Sequence, residues 1–252
     1  MTLMDNQLAE NLYGFLRVQN DHIKVNLASE QFKALIPPVN EAYEAARLEV
    51  SKEVDLTTIQ LLLLCHRSFL LAVSLIAGGH PNDAGSVTRR AIEMAKIAFA
   101  LVYDSENFDR WVNYNVRSGR WAAWSADKKP PRLFTDLKFP KPHSLLDALG
   151  KEEGMYSDMG VHCTPEFIAH YPFEQQEKQL FLSYFVADRD HLNRSLRISV
   201  ATHLQILQLF NETLRGALDR SARWVEAMGK IAAAGLSSIP PEIKNQKPDE
   251  SS

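Results

Sequence analysis

Residues 55–81 read DLTTIQLLLLCHRSFLLAVSLIAGGHP, and their apolar pattern is the strongest indication of the fold class. From Leu61 to Gly79 it is apolar except for His66, Arg67 and two serines. A membrane-spanning helix needs about 20 mostly apolar residues, and an arginine near its centre would cost several kcal/mol. We therefore expect a buried helix of a soluble protein, with no membrane as a partner. Membrane association is kept as a minor alternative. The Gly-Gly-His-Pro turn at 78–81 is expected to end the helix.

The chain on the C-terminal side of this turn is also predicted to be helical. One helix should run to about Tyr103, and a further one to about Ser125. Because the 78–81 turn is short, the two helices that it joins should be antiparallel neighbours. Apolar residues then recur every three or four positions from Leu192 to Leu218, which is typical of one face of a long helix. That helix is expected to continue, bent or broken, to about Ala234.

On the N-terminal side, the sequence predicts shorter helices. Helical spacing of apolar residues begins at Leu3, and Pro37-Pro38 is expected to end that region. A short surface helix rich in Ala, Glu and Arg is predicted from Glu41 to Lys52. The fold class is therefore all-α, a single helical bundle with antiparallel long helices.

The middle of the chain, about 126–187, has a different composition. Six of the 12 prolines lie between Pro130 and Pro172, and 16 of the 23 aromatic residues lie between Phe99 and Phe185. This pattern predicts an irregular, packed, Pro-rich and aromatic-rich insert. Short elements within it are expected at Ser144–Leu149 (a helix) and at Gln179–Val186 (a strand).

These boundaries define the predicted domain organisation. Residues 1–236 form a single all-helical domain, with core helices at about 55–125 and 188–234. Residues 237–252 are expected to be a disordered tail. The start of the chain, Met1–Asn11, lacks the basic and apolar regions of a signal peptide, so a cytoplasmic protein is expected.

Composition excludes several classes of protein. The 252 residues include 45% hydrophobic and 23% charged residues, and two cysteines, which does not fit a disordered, collagenous or disulfide-rich chain. The net charge of −3 argues against coating of nucleic acid through bulk charge. Cys65 follows four leucines and is expected to be a buried small hydrophobe.

Polar residues interrupt the two apolar helices at regular intervals. Gln60, Arg67 and Ser74 are seven residues apart on the first helix. The second helix carries an Arg89, Glu93 and Lys96 series, with Arg90 beside it. If the polar lines of the two helices meet, Arg67, Arg89 or Arg90, and Glu93 form a seam. This seam is either a structural ion pair or a pocket for a small anionic ligand, such as a phosphate or carboxylate.

A second candidate site lies in the insert, at Met155–Cys163. His162 is the histidine most suited to general acid–base chemistry, and Tyr156 and Ser157 are candidate ligand contacts. The alternative is a histidine that stabilises a loop. Because His162, Cys163 and His170 do not have a metal-ligand spacing, no metal and no cofactor are expected.

A basic segment runs from Arg117 to Lys141. It holds seven basic and two acidic residues, a local charge of +5, with four aromatic residues interleaved. This combination suits single-stranded nucleic acid, and RNA is a candidate partner. It equally suits a solvated loop whose aromatic residues pack on the core.

Residues 55–215 resemble uncharacterised bacterial all-helical domains of unknown function. The resemblance is carried by His66-Arg67, by Arg89-Arg90-Ala91-Ile92-Glu93, and by Tyr156-Ser157 with His162. Such bundles are similar in outline to HEPN-type proteins, many of which are metal-independent ribonucleases of toxin–antitoxin or phage-defence systems. The signature of that class is an arginine followed four to six residues later by a histidine on one helix. We assign no such pair from the sequence.

Three functions follow as hypotheses. The first is a binding or regulatory module whose site of Arg67, Arg90, Glu93 and His162 takes an anionic ligand or nucleotide end. The second, implied by the resemblance, is a ribonuclease in which His162 helps to activate a ribose hydroxyl and Arg90 stabilises phosphate charge, beside Glu93. The third is a structural subunit of a homo-oligomer, for which the expected mark is a large exposed apolar stripe. Whether the protein is an enzyme stays open.

Overall fold

The fold is an all-α bundle, described by a computed structural model for residues 12–53, 56–112, 137–160, 173–176, 179–182, 185–186 and 188–235. The helices in these residues are α1 (Leu12–Leu27), α2 (Glu30–Glu53), α3 (Leu56–Ala77), α4 (Pro81–Tyr103), α5 (Glu106–Val112), α6 (Ser144–Gly160), α7 (Arg189–Thr213) and α8 (Ala222–Ala233). A 3-10 turn (Leu218–Arg220) separates α7 from α8. The all-α prediction is therefore confirmed.

Helix α4 lies at the centre of the bundle, packed against α3, α6 and α7. Its inner side is lined by alanines and other small residues, which let neighbouring helices approach closely. The turn from α3 into α4 is stabilised at Gly79, which has a φ of +87°. The Gly79 carbonyl accepts a hydrogen bond from the Val186 amide at 2.9 Å. Asn26 of α1 donates to the Ala77 carbonyl at 2.8 Å and so satisfies the end of α3.

The N-terminal helices differ from the prediction. Helix α2 runs through Pro37 and Pro38 instead of ending there. The carbonyls that these prolines leave without a helical partner belong to Lys33 and Ala34, two residues that are exposed to solvent. The expected short surface helix at 41–52 was also wrong, because this segment belongs to α2 and packs Tyr43 into the core.

The insert is more regular than expected wherever the structure describes it. Helix α6 extends from Ser144 to Gly160, well beyond Leu149, and packs on α4. The strand expected near 179 is present as β2 (Gln179–Leu182). It pairs antiparallel with β1 (Phe173–Gln176). Residues 113–136 and 161–172, and the expected disordered tail at 237–252, lie outside the described residues.

The C-terminal helix is long and ends where the chain reverses. Asp188 caps α7 by accepting a hydrogen bond from the Asp190 amide. The helix ends before Arg215 and Gly216, both of which have positive φ. Helix α8 then packs back on α2, so the predicted bent or broken continuation to about Ala234 is confirmed.

One described helix, α3, is long and apolar enough to cross a membrane by length and composition. In its most apolar window 44% of the residues are buried inside the bundle. Its buried side, which includes Cys65 and Phe69, packs on α2, α4 and α7. Its other side faces outward.

Candidate functional site

The Arg89–Glu93 part of the predicted seam is an ion pair along α4. The Arg89 guanidinium lies 3.2 Å from the Glu93 carboxylate, and both side chains are about one third exposed. Partial burial raises the pKa of the Glu93 carboxyl, against the opposing effect of Arg89. The Nε atom of Arg89 is buried without a hydrogen-bond partner among the described residues. This pair matches the structural interpretation that the sequence left open.

A second ion pair beside it joins α4 to α6. Lys96 donates to the Glu153 carboxylate at 2.8 Å, and both side chains are largely buried. Ser157 donates its hydroxyl proton to the backbone carbonyl of Glu153, at 2.8 Å. The two cations and two carboxylates of this patch therefore neutralise one another, and the Ser157 hydroxyl already has an acceptor.

Tyr156 is part of the helix packing between α6 and α7. It is buried, and its hydroxyl lies 2.9 Å from the Thr202 hydroxyl. Burial raises the pKa of the Tyr156 phenol, so it stays protonated at neutral pH. Next to it, Gln205 donates to the Glu152 carboxylate at 2.6 Å. A small cavity with a volume of about 30 Å³ is lined by Tyr156 and Asn82.

Arg67 and Arg90 do not join these pairs. Both side chains are exposed, and neither makes a hydrogen bond or an ion pair with any residue that the structure describes. Arg90 acts on Glu93 only at longer range, where its charge slightly lowers the pKa of that carboxyl. No direct contact links Arg67 to Arg89 or Glu93 within the described chain. His162 lies outside the described residues, so its predicted position beside Arg90 stays a prediction.

Arg67 instead lies on an exposed, mostly leucine surface of α3, which we call the leucine face. Its side chains all point away from the bundle and recur at helical spacing: Leu56, Gln60, Leu63, Leu64, Arg67, Leu70, Leu71 and Ser74. The five leucines are 42–68% exposed, although leucine is usually a core residue. The expected polar line along α3 is thus present, but it runs along this outer surface.

The leucine face repeats every seven residues. A Leu-Leu pair at 63 and 64 recurs at 70 and 71, and the polar line of Gln60, Arg67 and Ser74 has the same period. A seven-residue apolar repeat keeps one face of a helix directed at a partner helix. The pattern is therefore typical of a helix that pairs with another helix along this side.

The face is also symmetric about its midpoint. Two leucines, Leu64 and Leu70, are three residues from Arg67, and two more, Leu63 and Leu71, are four residues from it. Gln60 and Ser74 are each seven residues away. When a helix packs antiparallel on a copy of itself about this midpoint, Leu63 and Leu64 meet Leu71 and Leu70, Gln60 meets Ser74, and the two Arg67 side chains lie together at the axis. This is the self-complementarity that a two-fold interface requires.

The remaining sequence candidates divide between the described and undescribed parts of the chain. Among the described residues, no group of three or more His, Cys, Asp or Glu side chains is arranged to hold a metal ion. Most of the basic segment 117–141 lies outside these residues. At its end, Lys138 is engaged by Asp104 at 3.1 Å and by Glu106 at 3.0 Å.

A buried polar cluster in the core was not expected from the sequence. The Tyr43 hydroxyl lies 2.6 Å from Nδ1 of His203, and the His66 ring stacks on Tyr43 with ring centroids 4.9 Å apart. Complete burial lowers the pKa of His203 to about 3. The signal was available in part, since His203 falls on the buried side of the α7 stripe.

The spacing of the HEPN signature occurs twice in the described helices. On α1, Arg17 precedes His22 by five residues, and His22 is buried. On α7, Arg197 precedes His203 by six residues. The structure gives the two residues different environments, because Arg197 is exposed while His203 is fully buried against Tyr43. A substrate phosphate at Arg197 would have no access to the His203 ring.

No family model, curated protein or solved structure matches this chain.

Proposed function

We propose that this protein is the subunit of a homodimer, assembled through the leucine face of α3, and that it acts in the cytoplasm as a binding or structural module. The observation that carries the proposal is the row of five exposed leucines, Leu56, Leu63, Leu64, Leu70 and Leu71, on a helix otherwise embedded in the core. Contiguous exposed apolar surface of this kind marks an interaction site.

A second copy of the chain is the occupant that the pattern favours. The seven-residue period suits a helical partner, and the symmetry about Arg67 suits an identical one. A lipid surface fits less well, because the polar line of Gln60, Arg67 and Ser74 runs through the middle of the face. A flat apolar surface would leave these groups without polar partners, whereas an antiparallel copy opposes Gln60 with Ser74.

Lysine substitutions within the face test the proposal. Leu64→Lys and Leu71→Lys each add two positive charges to a two-fold interface that already holds both Arg67 side chains, because each change occurs once per chain. We expect each variant to weaken the dimer by roughly thirtyfold or more, since the like charges repel and α3 has no carboxylate to balance them. Sedimentation equilibrium measures the effect, and circular dichroism checks that the helices are retained.

Leu16→Lys is the matched control. Leu16 of α1 is 42% exposed, the same fraction as Leu64, but it lies on a different helix. This variant should dimerise like the wild-type chain. A wild-type protein that stays monomeric at high concentration contradicts the proposal. It does so even if the leucine face then binds lipid vesicles or is covered by another part of the chain. A dimer whose dissociation constant is the same in the wild-type chain and in both lysine variants also contradicts the proposal.

Anion binding and RNA cleavage, the other two functions expected from the sequence, have weaker support than the dimer. Anion binding at the α4 seam has little support, because Arg89 and Lys96 are already paired with Glu93 and Glu153. RNA cleavage depends on His162, outside the described residues. Anion binding keeps one specific observation in its favour, which is that the Arg67 guanidinium has no partner among the described residues.

A further inference from the structure

Arg67 is the one side chain of α3 that is charged at neutral pH, and it stands at the midpoint of the leucine face. We propose that the dimer holds a phosphate group between the two Arg67 guanidinium groups. This inference rests on the proposed dimer, because the two arginines come together only across its interface.

Symmetry brings the two positive charges close to each other. In an antiparallel pair centred on residue 67, both guanidinium groups lie near the two-fold axis. Leucines on both sides, at 63, 64, 70 and 71, remove water from this region as the helices meet. Like charges repel more strongly where water is excluded, so the interface requires a counter-charge.

The chain supplies no carboxylate for this purpose on α3, which contains neither Asp nor Glu. Two carboxylates on the neighbouring helices are already engaged. On α2, Glu44 lies 2.9 Å from Arg47 and 3.7 Å from the ring of His66. On α4, Glu93 is paired with Arg89. A soluble anion can supply the counter-charge that α3 itself lacks.

The chemistry of guanidinium favours a phosphate group over other anions. Each guanidinium presents a planar fork of donors that binds two oxygens at once. A phosphate group has enough terminal oxygens to face a fork on either side of the axis, and its charge of nearly −2 matches the two arginines. A single carboxylate satisfies one fork only. Inorganic phosphate and a phosphomonoester such as AMP present the same group.

The measurement is the dimer dissociation constant at matched ionic strength, by sedimentation equilibrium. With inorganic phosphate in place of chloride, we expect the wild-type dimer to bind about tenfold tighter. A comparison of AMP with adenosine shows whether a phosphomonoester acts as inorganic phosphate does. A lower dimer dissociation constant in either phosphate compound supports the site. In Arg67→Gln the dimer should form with the same constant in chloride and in phosphate.

Arg90→Gln is the matched control, since Arg90 is also exposed and makes no ion pair within the described chain. It should keep the response to phosphate. A wild-type dimer with equal constants in chloride, phosphate and AMP overturns this inference and leaves the dimer itself intact. A phosphate response that survives in Arg67→Gln also overturns it. A monomer under every condition means that the proposed function has failed.

Discussion

The contact between Tyr43 and His203 shows how one residue pair stabilises this core. Both side chains are fully buried, and the phenol lies 2.6 Å from Nδ1 of the imidazole. Tyr43→Phe removes the hydroxyl and leaves that nitrogen without a partner, so the free energy of unfolding should fall by about 1–3 kcal/mol. Urea unfolding measures the change. Tyr13→Phe, at an 84% exposed position, should have no effect; equal stability of both variants contradicts the role of the contact.

The same histidine makes stability depend on pH. Burial lowers the pKa of His203 from 6.5 to about 3 in the folded protein. Below pH 6.5 the unfolded chain binds a proton that the folded chain does not, so this contribution to stability is lost as pH falls from about 6.5 toward 3. The slope for this one group approaches about 1.4 kcal/mol per pH unit.

His203→Gln isolates that contribution while keeping a polar group near Tyr43. The free energy of unfolding of this variant, measured between pH 7 and pH 5, should fall less steeply than that of the wild-type protein. Parallel curves for the two proteins contradict a neutral His203 in the fold. Comparison with the variant is needed because burial also lowers the pKa of His66 and His80 and raises that of Glu93.

Contacts within one helix could be predicted from the sequence, whereas contacts between distant helices could not. The Arg89–Glu93 pair followed from a spacing of four residues on one helix, which local geometry alone determines. Tyr43 and His203 are 160 residues apart, so their contact depends on how α2 and α7 pack. The exposure of Leu63 and Leu64 could not be predicted for a similar reason. Four consecutive leucines place leucine all around the helix, so the sequence does not say which of them face solvent.

At the scale of elements, the turn between α3 and α4 requires a glycine at position 79. Gly79 has a φ of +87°, and a Cβ there would lie 3.2 Å from the Val186 carbonyl oxygen and from the Phe185 Cβ. Gly79→Ala should therefore destabilise the protein by about 1–3 kcal/mol. Thermal unfolding measures the loss.

Gly229→Ala is the matched control for that turn. Gly229 lies inside α8, and nothing lies within 4 Å of a Cβ added there. Alanine should stabilise the helix by about 0.5–1 kcal/mol. If both alanine variants shift stability in the same direction, the account of the Gly79 turn is wrong.

Helix boundaries show what the sequence determines locally. The end of α3 at the Gly-Gly-His-Pro turn and the start of α7 at Asp188 were predictable, because glycine and cap residues act through the nearby backbone. The path of α2 through Pro37 and Pro38 was not, since it depends on tertiary packing of Phe32 and Tyr43 on each side of the prolines. Helix α6 was underestimated because nearby prolines suggested irregular chain.

At the scale of the whole molecule, the ribonuclease hypothesis has its own test. Purified protein incubated with structured RNA and without metal should cleave it if His162 acts as a general base, and His162→Ala should abolish the cleavage. His203→Gln is the informative comparison, because buried His203 has no access to RNA and its loss should leave cleavage unchanged. Absence of cleavage by the wild-type chain contradicts the hypothesis.

Two copies are expected to pair antiparallel through the leucine face, and disulfide trapping detects this pairing. Gln60→Cys and Ser74→Cys chains, when mixed and oxidised, should form a disulfide between the two variants, because the symmetry about Arg67 opposes these positions. The product should have twice the 28.5 kDa mass of one chain. Either variant alone, and the wild-type chain under the same oxidation, should give little of it. A mixture with no more cross-linked product than the single variants contradicts the account.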